Sequence, residues 1–206
     1  MFLKVIFAFF LLGLTPFPAG AEAIDGARVP VDRLNGAIIE VMKGAKQLRY
    51  QGRYKMLEPV VKDTFEFEAV SQIALGTHWK KLDKAQKTAF MQKITDLSVA
   101  TYAAQFKDYS GESFKFDSSQ DMKNGRMLLR YNLTAPKEKP IKFEYIVQDV
   151  NGQWQIINII VDGISDLALK KAQYTSVIDR EGFDSLLNKL TQKIADYATN
   201  NGGASG

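Results

Sequence analysis

The sequence predicts an α+β protein, with helices first, then an antiparallel meander of four strands, then two further helices that cover it. Two observations support this fold class. Apolar residues recur with a period near 3.6 up to about residue 109, and with a period of 2 between Ser113 and Gly163. The second region is punctuated by Asn124-Gly125 and Asn151-Gly152, pairs that are typical of hairpin turns. Strands joined by such short turns pair antiparallel.

The N-terminal residues have the pattern of a secretory signal peptide. Lys4 precedes an apolar run, Val5–Leu14, and an Ala-x-Ala sequence ends at Ala23. The run is shorter than the roughly 20 residues that span a bilayer. An exported chain without a second run of this kind is typical of a soluble periplasmic protein. We therefore expect a signal peptide over residues 1–23, a single domain over residues 24–199 and a disordered tail over residues 200–206.

Helical periodicity predicts the elements before the sheet. A first helix is expected over residues 31–48, because Leu34, Ile38 and Val41 recur on one face. The segment Arg49–Gly52 is expected to break it. A second helix then runs to about residue 65, bent or restarted at Pro59.

Two further helices complete this part of the chain. A short third helix is predicted to end at Gly76, since glycine commonly follows the last helical residue. The fourth is predicted to be the longest and to run from Leu82-Asp83 to about Tyr109. Its expected buried stripe consists of Phe90, Ile94, Leu97 and Thr101, joined by Tyr102 and Phe106.

Alternation predicts four strands, over residues 113–120, 125–134, 140–150 and 153–163, followed by helices over 165–180 and 183–198. One face of the sheet is expected to carry the apolar residues Phe114, Phe116, Met127, Leu129, Tyr131, Leu133, Ile141, Phe143, Tyr145 and Val147. The fourth strand is apolar on both faces, which predicts a central or doubly covered position. Such a face can form a packed core or border an apolar slot under the helices, and the sequence leaves both open.

The composition excludes several kinds of active site. The chain has no Cys and one His, so disulfides, a thiol nucleophile and Cys-ligated zinc are excluded, and no metal site is expected. The motifs GxSxG, GxxxxGK[ST], HExxH and GxGxxG are absent. A formal net charge of +4 is too modest to indicate nucleic-acid binding.

The remaining polar candidates have ordinary structural explanations. A carboxylate acid–base pair could be drawn from Glu144, Asp149, Asp162 and Asp166. The single histidine, His78, is interpreted as a loop or capping residue and Trp154 as a core residue. Lysine groups at 80–87, 137–142 and 170–171 are expected on a solvated surface, with docking onto anionic head groups or an acidic partner as the alternative.

Two groups of residues carry a resemblance to a known family. The first contains Phe65, Phe67, Leu75, Gly76, Trp79, Phe90, Thr101 and Tyr102, and the second contains Trp154, Ile156, Gly163, Ile164, Ser165, Tyr174, Gly182, Phe183, Leu186 and Leu187. In this order and spacing the chain resembles the MlaC/Ttg2D family of periplasmic lipid-carrier proteins. Within that family it looks most similar to the hopanoid-associated HpnM branch.

The resemblance implies an NTF2-like fold that holds lipid between the sheet and the helices. It implies a phospholipid or hopanoid shuttle between an inner-membrane ABC transporter complex, through its substrate-binding component, and an outer-membrane lipoprotein complex. Neither catalysis nor a cofactor is expected, and the protein is expected to be a monomer. The expected lipid-binding residues are Val70, Ile73, Leu97, Tyr102, Phe106, Leu129, Tyr131, Phe143, Tyr145, Ile157, Ile159, Ile164, Leu167 and Tyr174.

Two other functions remain open at this stage. An NTF2-like enzyme could use one carboxylate as a base on an apolar substrate, and its turnover would be lost on Asp162→Asn or Asp149→Asn. An adaptor with a filled core could bind only proteins.

Overall fold

The computed structural model describes residues 19–202, and the first 18 residues of the expected signal peptide lie outside that range. Over the described residues the chain forms α1 (Ala19–Lys43), α2 (Ala45–Thr64), α3 (Phe67–Leu75), a 3-10 helix (Gly76–Lys81), α4 (Lys84–Gln105), β1 (Ser113–Met122), β2 (Arg126–Thr134), β3 (Ile141–Val150), β4 (Gln153–Val161), β5 (Ile164–Ser165), α5 (Asp166–Glu181) and α6 (Phe183–Gly202). The predicted α+β class and element order are confirmed. In the described residues, no helix is long and apolar enough to cross a membrane.

The strands form one antiparallel sheet in the order β1-β2-β3-β4-β5, so each strand pairs with its neighbour in sequence. The predicted meander is confirmed, with the two-residue β5 as an addition. Asn151 and Gly152 form a two-residue turn with positive φ angles of 55° and 84°. The β1–β2 hairpin turns through three residues, and its Asn124 and Gly125 also have positive φ.

Two irregularities interrupt the sheet. In β1, Asp117 is an extra residue between the pairs Phe116↔Tyr131 and Ser118↔Arg130. In β4, Ile157 is an extra residue, because Val147 pairs with Ile156 and the next residue of β3, Ile146, pairs with Asn158. Such bulges increase the local twist and change which side chains face the core.

Helix α1 differs from its prediction at both ends. It starts at Ala19, continues through Pro30 and ends at Lys43, which makes it the longest described helix at 25 residues. Ala27 and Val31 are fully buried four residues apart, so the core contact extends across the proline. Proline removes one helical hydrogen bond, and burial on both sides offsets that loss.

Three other boundaries differ from the sequence-based expectation. Helix α2 has non-helical backbone at Arg49, as predicted, but passes through Pro59. Helix α4 ends at Gln105, four residues early, because Phe106 already leaves the helical conformation. Helix α6 reaches Gly202, so residues 200–202 of the expected tail are helical.

Helix α4 is fixed at its start and along its length. Asp83 and Gln86 form a reciprocal capping box, with the Asp83 carboxylate accepting from the Gln86 amide at 2.8 Å. Buried Arg53 of α2 donates to the carbonyls of Ala103 at 2.8 Å and Ala45 at 3.2 Å. Burial lowers the pKa of Arg53. The guanidinium therefore ties α2 to the C-terminal turn of α4.

Candidate functional site

The inner face of the sheet is lined by buried aliphatic and aromatic side chains. Leu129 and Tyr145 sit opposite one another on β2 and β3, and neither has any exposed surface. Tyr131 and Phe143 form the next pair along the same two strands and are also buried. The alternation predicted from the sequence therefore places these four predicted site residues on one face.

Aromatic rings cover this face in a connected array. The ring centroids of Tyr131 and Tyr145 lie 5.6 Å apart and those of Phe143 and Tyr145 lie 6.1 Å apart. Phe114 and Phe116 of β1 extend the array, at 5.2 Å from Phe143 and 5.4 Å from Tyr131. These are edge-to-face and offset geometries, which add to the stabilisation from apolar burial.

The helices supply a second aromatic group opposite the sheet. Tyr102 and Phe106, near the end of α4, stack with centroids 5.9 Å apart, and Tyr102 lies 6.3 Å from Phe65. Burial raises the pKa of Tyr102 and of Tyr145, and the phenol of Tyr102 is near enough to add to the rise at Tyr145. Phe65 also forms a parallel β-bridge with Ile156 of β4, so this second aromatic group lies against the sheet.

The other predicted site residues mostly join this core. Ile159 of β4 packs against the core. The predicted site residues on helices α3, α4 and α5 are buried in it or packed against it, namely Val70, Ile73, Leu97, Leu167 and Tyr174. Ile157 is also buried, but it lies outside the contiguous core because it is the extra residue of the β4 bulge.

Ile164 lies apart from the other predicted lipid-binding residues. Its side chain is 61% exposed. The preceding Asp162 and Gly163 both have positive φ, which reverses the chain and leaves Ile164 on the short edge strand β5. The structure therefore places Ile164 apart from the other predicted lipid-binding residues, and its contact with lipid stays a prediction.

A cleft of about 400 Å³ opens between α1, the loop before β1, and the ends of β1 and β2. Its lining includes Asn35, Ile39, Tyr109, Phe114 and Tyr131. Tyr131 and Phe114 belong to the aromatic array, so this cleft leads directly onto the inner face of the sheet. We call it the α1–β2 cleft.

A polar network closes one side of the α1–β2 cleft. The Tyr131 hydroxyl donates to Oδ1 of Asp32 at 2.6 Å, and Arg28 pairs with the same carboxylate at 3.2 Å. The Arg28 guanidinium also lies 4.3 Å from the centre of the Phe116 ring. The pKa of Arg28 is raised, first by its hydrogen bond with Tyr131, and burial raises the pKa of Tyr131.

Asn35 lies under the same cleft and was missed by the sequence analysis. It is 4% exposed, and its Oδ1 accepts a 2.6 Å hydrogen bond from the Tyr145 hydroxyl. Its Nδ2 is buried without a hydrogen-bond partner. The available signal was its position between Val31 and Ile38, where an amide interrupts an otherwise apolar helical stripe.

A second and larger cleft, of about 650 Å³, lies between α1, the end of α2 and the β3–β4 hairpin. Trp154 lines it and is partly exposed, with its ring packed beside Gly26. Trp154 is thus partly buried and packs against the core, so its interpretation as a core residue holds in part. As the second residue of β4, it covers the edge of the core rather than filling its centre.

The carboxylates considered for catalysis have structural partners instead. Glu144 pairs with Arg130 at 3.0 Å on the outer face of the sheet. Asp149 accepts from the Gly152 amide at 2.7 Å in the hairpin turn, and Asp162 accepts from the Lys142 amide at 2.9 Å. Asp166 pairs with Lys170 in the first turn of α5.

The single histidine and the acidic residues do not form a metal centre in the described part of the chain. His78, in the 3-10 helix, lies 3.2 Å from the Asp179 carboxylate of α5. Between residues 19 and 202, no three His, Asp or Glu side chains gather where they could hold a metal ion.

Comparison with a solved structure defines the class of fold. The chain matches a phospholipid-binding protein from Ralstonia solanacearum, solved in complex with a phospholipid, with a TM-score of 0.73 at 20% identity. The match covers 84% of this chain and 98% of that one. The shared fold is an open antiparallel sheet covered by helices.

The sequence comparisons identify the family. Residues 32–192, more than half of the chain, match the model of the MlaC protein family. This chain belongs to the MlaC family. It is 20% identical to the toluene tolerance protein ttg2D of Pseudomonas putida over 84% of this chain and 83% of that protein.

A second relative matches over a shorter region. The intermembrane phospholipid transport system binding protein MlaC of Haemophilus influenzae is 22% identical over 125 residues, 59% of this chain. The match spans 58% of the length of the Haemophilus protein. The family resemblance predicted from the sequence is confirmed, while the HpnM branch stays a prediction.

Proposed function

We propose that this protein is a periplasmic lipid carrier that binds a phospholipid and moves it between membranes without catalysis. The observation that carries the proposal is the aromatic inner face of the sheet, which is joined to the surface by the α1–β2 cleft. The names of two relatives, one a phospholipid transport protein and one a phospholipid-binding protein, support the same cargo.

A carrier is needed because free lipid leaves a membrane slowly. Exposing a 16-carbon acyl chain to water costs about 0.8 kcal/mol per methylene, or roughly 13 kcal/mol in all. A protein lowers this cost when its interior is apolar enough to replace the membrane. Leu129, Phe143 and Tyr145, together with Leu97 and Val70 on the facing helices, provide that kind of surface.

We place the acyl chains between the sheet and helices α3, α4 and α5. The lining we propose is the sequence-derived set with Ile157 and Ile164 removed, since neither belongs to the contiguous core. Because Leu129 and Tyr145 are fully buried, the helices and sheet must separate slightly when a chain enters. The α1–β2 cleft is the proposed entrance.

The cellular setting follows from the N-terminal pattern and the family. We propose export by cleavage after Ala23, action as a monomer, loading from an inner-membrane ABC transporter component and exchange with an outer-membrane lipoprotein complex. Hopanoid is the alternative cargo, suggested by the likeness to the HpnM branch. Mass measurement of the exported protein tests the cleavage site, and a mature chain that still contained the apolar run would contradict it.

Lipid extraction tests the central proposal. Protein purified from a periplasmic fraction is expected to release close to one equivalent of phospholipid into organic solvent, identified by mass spectrometry. Leu129→Glu should lose this lipid, because a bound acyl chain would strip water from the carboxylate without replacing its hydrogen bonds. The matched control is Leu128→Glu, on the opposite face of the same strand, which should retain it.

The extraction also separates the other interpretations. Stoichiometric hopanoid in place of phospholipid would replace the proposed cargo but keep the carrier. Absence of any bound lipid, with no uptake of added phospholipid by purified protein, would contradict the proposal and favour an adaptor with a filled core.

A further inference from the structure

Asn35 presents an unused hydrogen-bond donor beneath the α1–β2 cleft. The Tyr145 hydroxyl donates to Asn35 Oδ1 at 2.6 Å, which fixes the amide so that Nδ2 points away from Tyr145. Among the described residues, only Asn35 Nδ2 and Ser71 Oγ are buried side-chain polar atoms without a partner. Of these two residues, Asn35 is the one that lines a described cleft.

A buried donor without a partner is costly and therefore informative. Leaving an amide N–H unsatisfied costs about as much as losing a hydrogen bond, and nearly all buried polar groups in folded proteins are paired. The site of the donor is also unusual, since Val31, Leu34 and Ile38 surround it on the apolar stripe of α1. A leucine at this position would pack there without that cost. The amide thus points to a ligand acceptor that arrives from the cleft.

The charges around the cleft define which acceptor fits. Its lining carries the carboxylates of Asp32, Glu40 and Glu112 and the single ammonium of Lys43. Lys43 already pairs with Glu40 at 2.9 Å. Arg28 likewise pairs with Asp32, so both cations at the cleft are engaged and Glu112 adds a further carboxylate. A phosphate or a free carboxylate at Nδ2 would therefore find no unpaired cation and would be repelled by Glu112. A neutral carbonyl oxygen would not.

We propose that Asn35 binds an acyl-ester carbonyl of the lipid, holding the glycerol backbone at the α1–β2 cleft while the acyl chains lie on the inner face of the sheet. This inference rests on the proposed lipid-carrier function. In this proposal the protein forms its hydrogen bond with the ester linkage of the lipid and not with the phosphate. Tyr145 acts as a positioning residue, because its hydroxyl holds the amide in the productive orientation.

A competition between two lipids tests the assignment. Delipidated full-length protein is offered an equal mixture of dipalmitoyl phosphatidylcholine and its dihexadecyl ether analogue, which has the same head group and chain length but lacks both carbonyls. Bound lipid is then quantified by mass spectrometry. One hydrogen bond predicts that the protein takes up the diester about 5- to 10-fold over the diether.

Two variants locate the preference on Asn35. Asn35→Leu should bring the ratio of diester to diether close to one while the diether still binds. Asn132→Leu makes the same change on the outer face of β2, where the residue is half-buried, and should keep the wild-type ratio. Tyr145→Phe should lower the ratio without abolishing it.

The outcomes separate this inference from the function on which it rests. Equal uptake of the two lipids by the wild-type protein would overturn the role of Asn35 and leave the carrier function intact, whether or not Asn35→Leu folds. A wild-type preference that survives in Asn35→Leu would also overturn it. Uptake of neither lipid by the wild-type protein would contradict the carrier function itself, and the inference with it.

Discussion

The Tyr131 hydroxyl donates a 2.6 Å hydrogen bond to Asp32 and so joins strand β2 to helix α1 across 99 residues of sequence. Both residues line the α1–β2 cleft, where the aromatic array reaches the surface. Helix and sheet are therefore held together at the place where the proposed cargo enters. The strength of this hydrogen bond is therefore expected to affect both the stability of the protein and the rate of lipid exchange.

Tyr131→Phe is expected to lower the free energy of unfolding by about 1 kcal/mol and to speed the release of bound lipid. The hydrogen bond is lost, but the Asp32 side chain is 46% exposed and keeps its pairing with Arg28, which limits the cost. Urea unfolding and transfer of a fluorescent phospholipid to acceptor vesicles measure the two effects. Asp32→Asn keeps an acceptor for the hydroxyl and should change both quantities less. Unchanged release in Tyr131→Phe would show that this bond does not gate the cleft.

Adjacent leucines on β2 should respond very differently to truncation. Leu129→Ala removes a fully buried side chain and is expected to cost about 2–5 kcal/mol of unfolding free energy. Leu128→Ala lies on the opposite, half-buried face and should cost less than about 1 kcal/mol. Chemical denaturation of both variants checks this. Similar losses at the two positions would mean that the outer face of the sheet is covered as thoroughly as the inner one.

Gly76 and Gly36 form a matched pair of glycine positions. Gly76, which ends α3, has φ 54° and ψ −125°, and an added Cβ would meet only the flexible end of Lys171 at 3.5 Å. Gly76→Ala should therefore lose about 1–3 kcal/mol through backbone strain alone. Gly36 lies inside α1 with open space around its Cβ position, so Gly36→Ala should gain about 0.5–1 kcal/mol. Thermal unfolding measures the stability change of each variant, and a loss of stability in Gly36→Ala would contradict the helical geometry at that position.

The protein should lose stability at alkaline pH. Burial raises the pKa of Tyr102, Tyr131, Tyr145 and Tyr174 in the folded state. In the unfolded chain tyrosine ionises near pH 10, so the unfolded state releases protons first. The stabilisation is thus complete below about pH 10 and falls as the pH rises above it, by at most about 1.4 kcal/mol per tyrosine per pH unit.

Tyrosinate absorbance provides the direct measurement. At about pH 11 the folded protein should show clearly fewer ionised tyrosines than the eight in its sequence, and unfolding in urea should release the rest. Tyr174→Phe should reduce the alkaline loss of stability. Ionisation of all eight with one midpoint in the folded protein would contradict the burial of these phenols.

The parts of the fold that the sequence predicts are those controlled by local chemistry. Asn151-Gly152 predicts its turn because both residues tolerate positive φ, and Asp83 predicts the start of α4 because its carboxylate caps the first turn. The inward orientation of Leu129 and Tyr145 follows from the period of the strand. None of these requires knowledge of distant residues.

The parts that the sequence does not predict depend on distant contacts. Proline favoured a helix start at Val31, and only burial against the rest of the core carries α1 back to Ala19. The bulge at Ile157 cannot be read from an apolar run, because every register of that run looks equally favourable. The role of Asn35 depends on its hydrogen bond with Tyr145, which lies 110 residues away and cannot be predicted from the local sequence.

The bulge at Asp117 has a consequence for self-association. Strand β1 pairs only with β2 among the described strands, so its outer edge offers free backbone groups to another chain. The extra residue shifts the register in the middle of β1; it is itself the charged Asp117, and Lys115 lies two residues before it. A bulge disrupts the straight edge that a second strand needs for continuous pairing, and charges beside it oppose that pairing further. An open sheet can thus persist at high concentration without seeding edge-to-edge polymers.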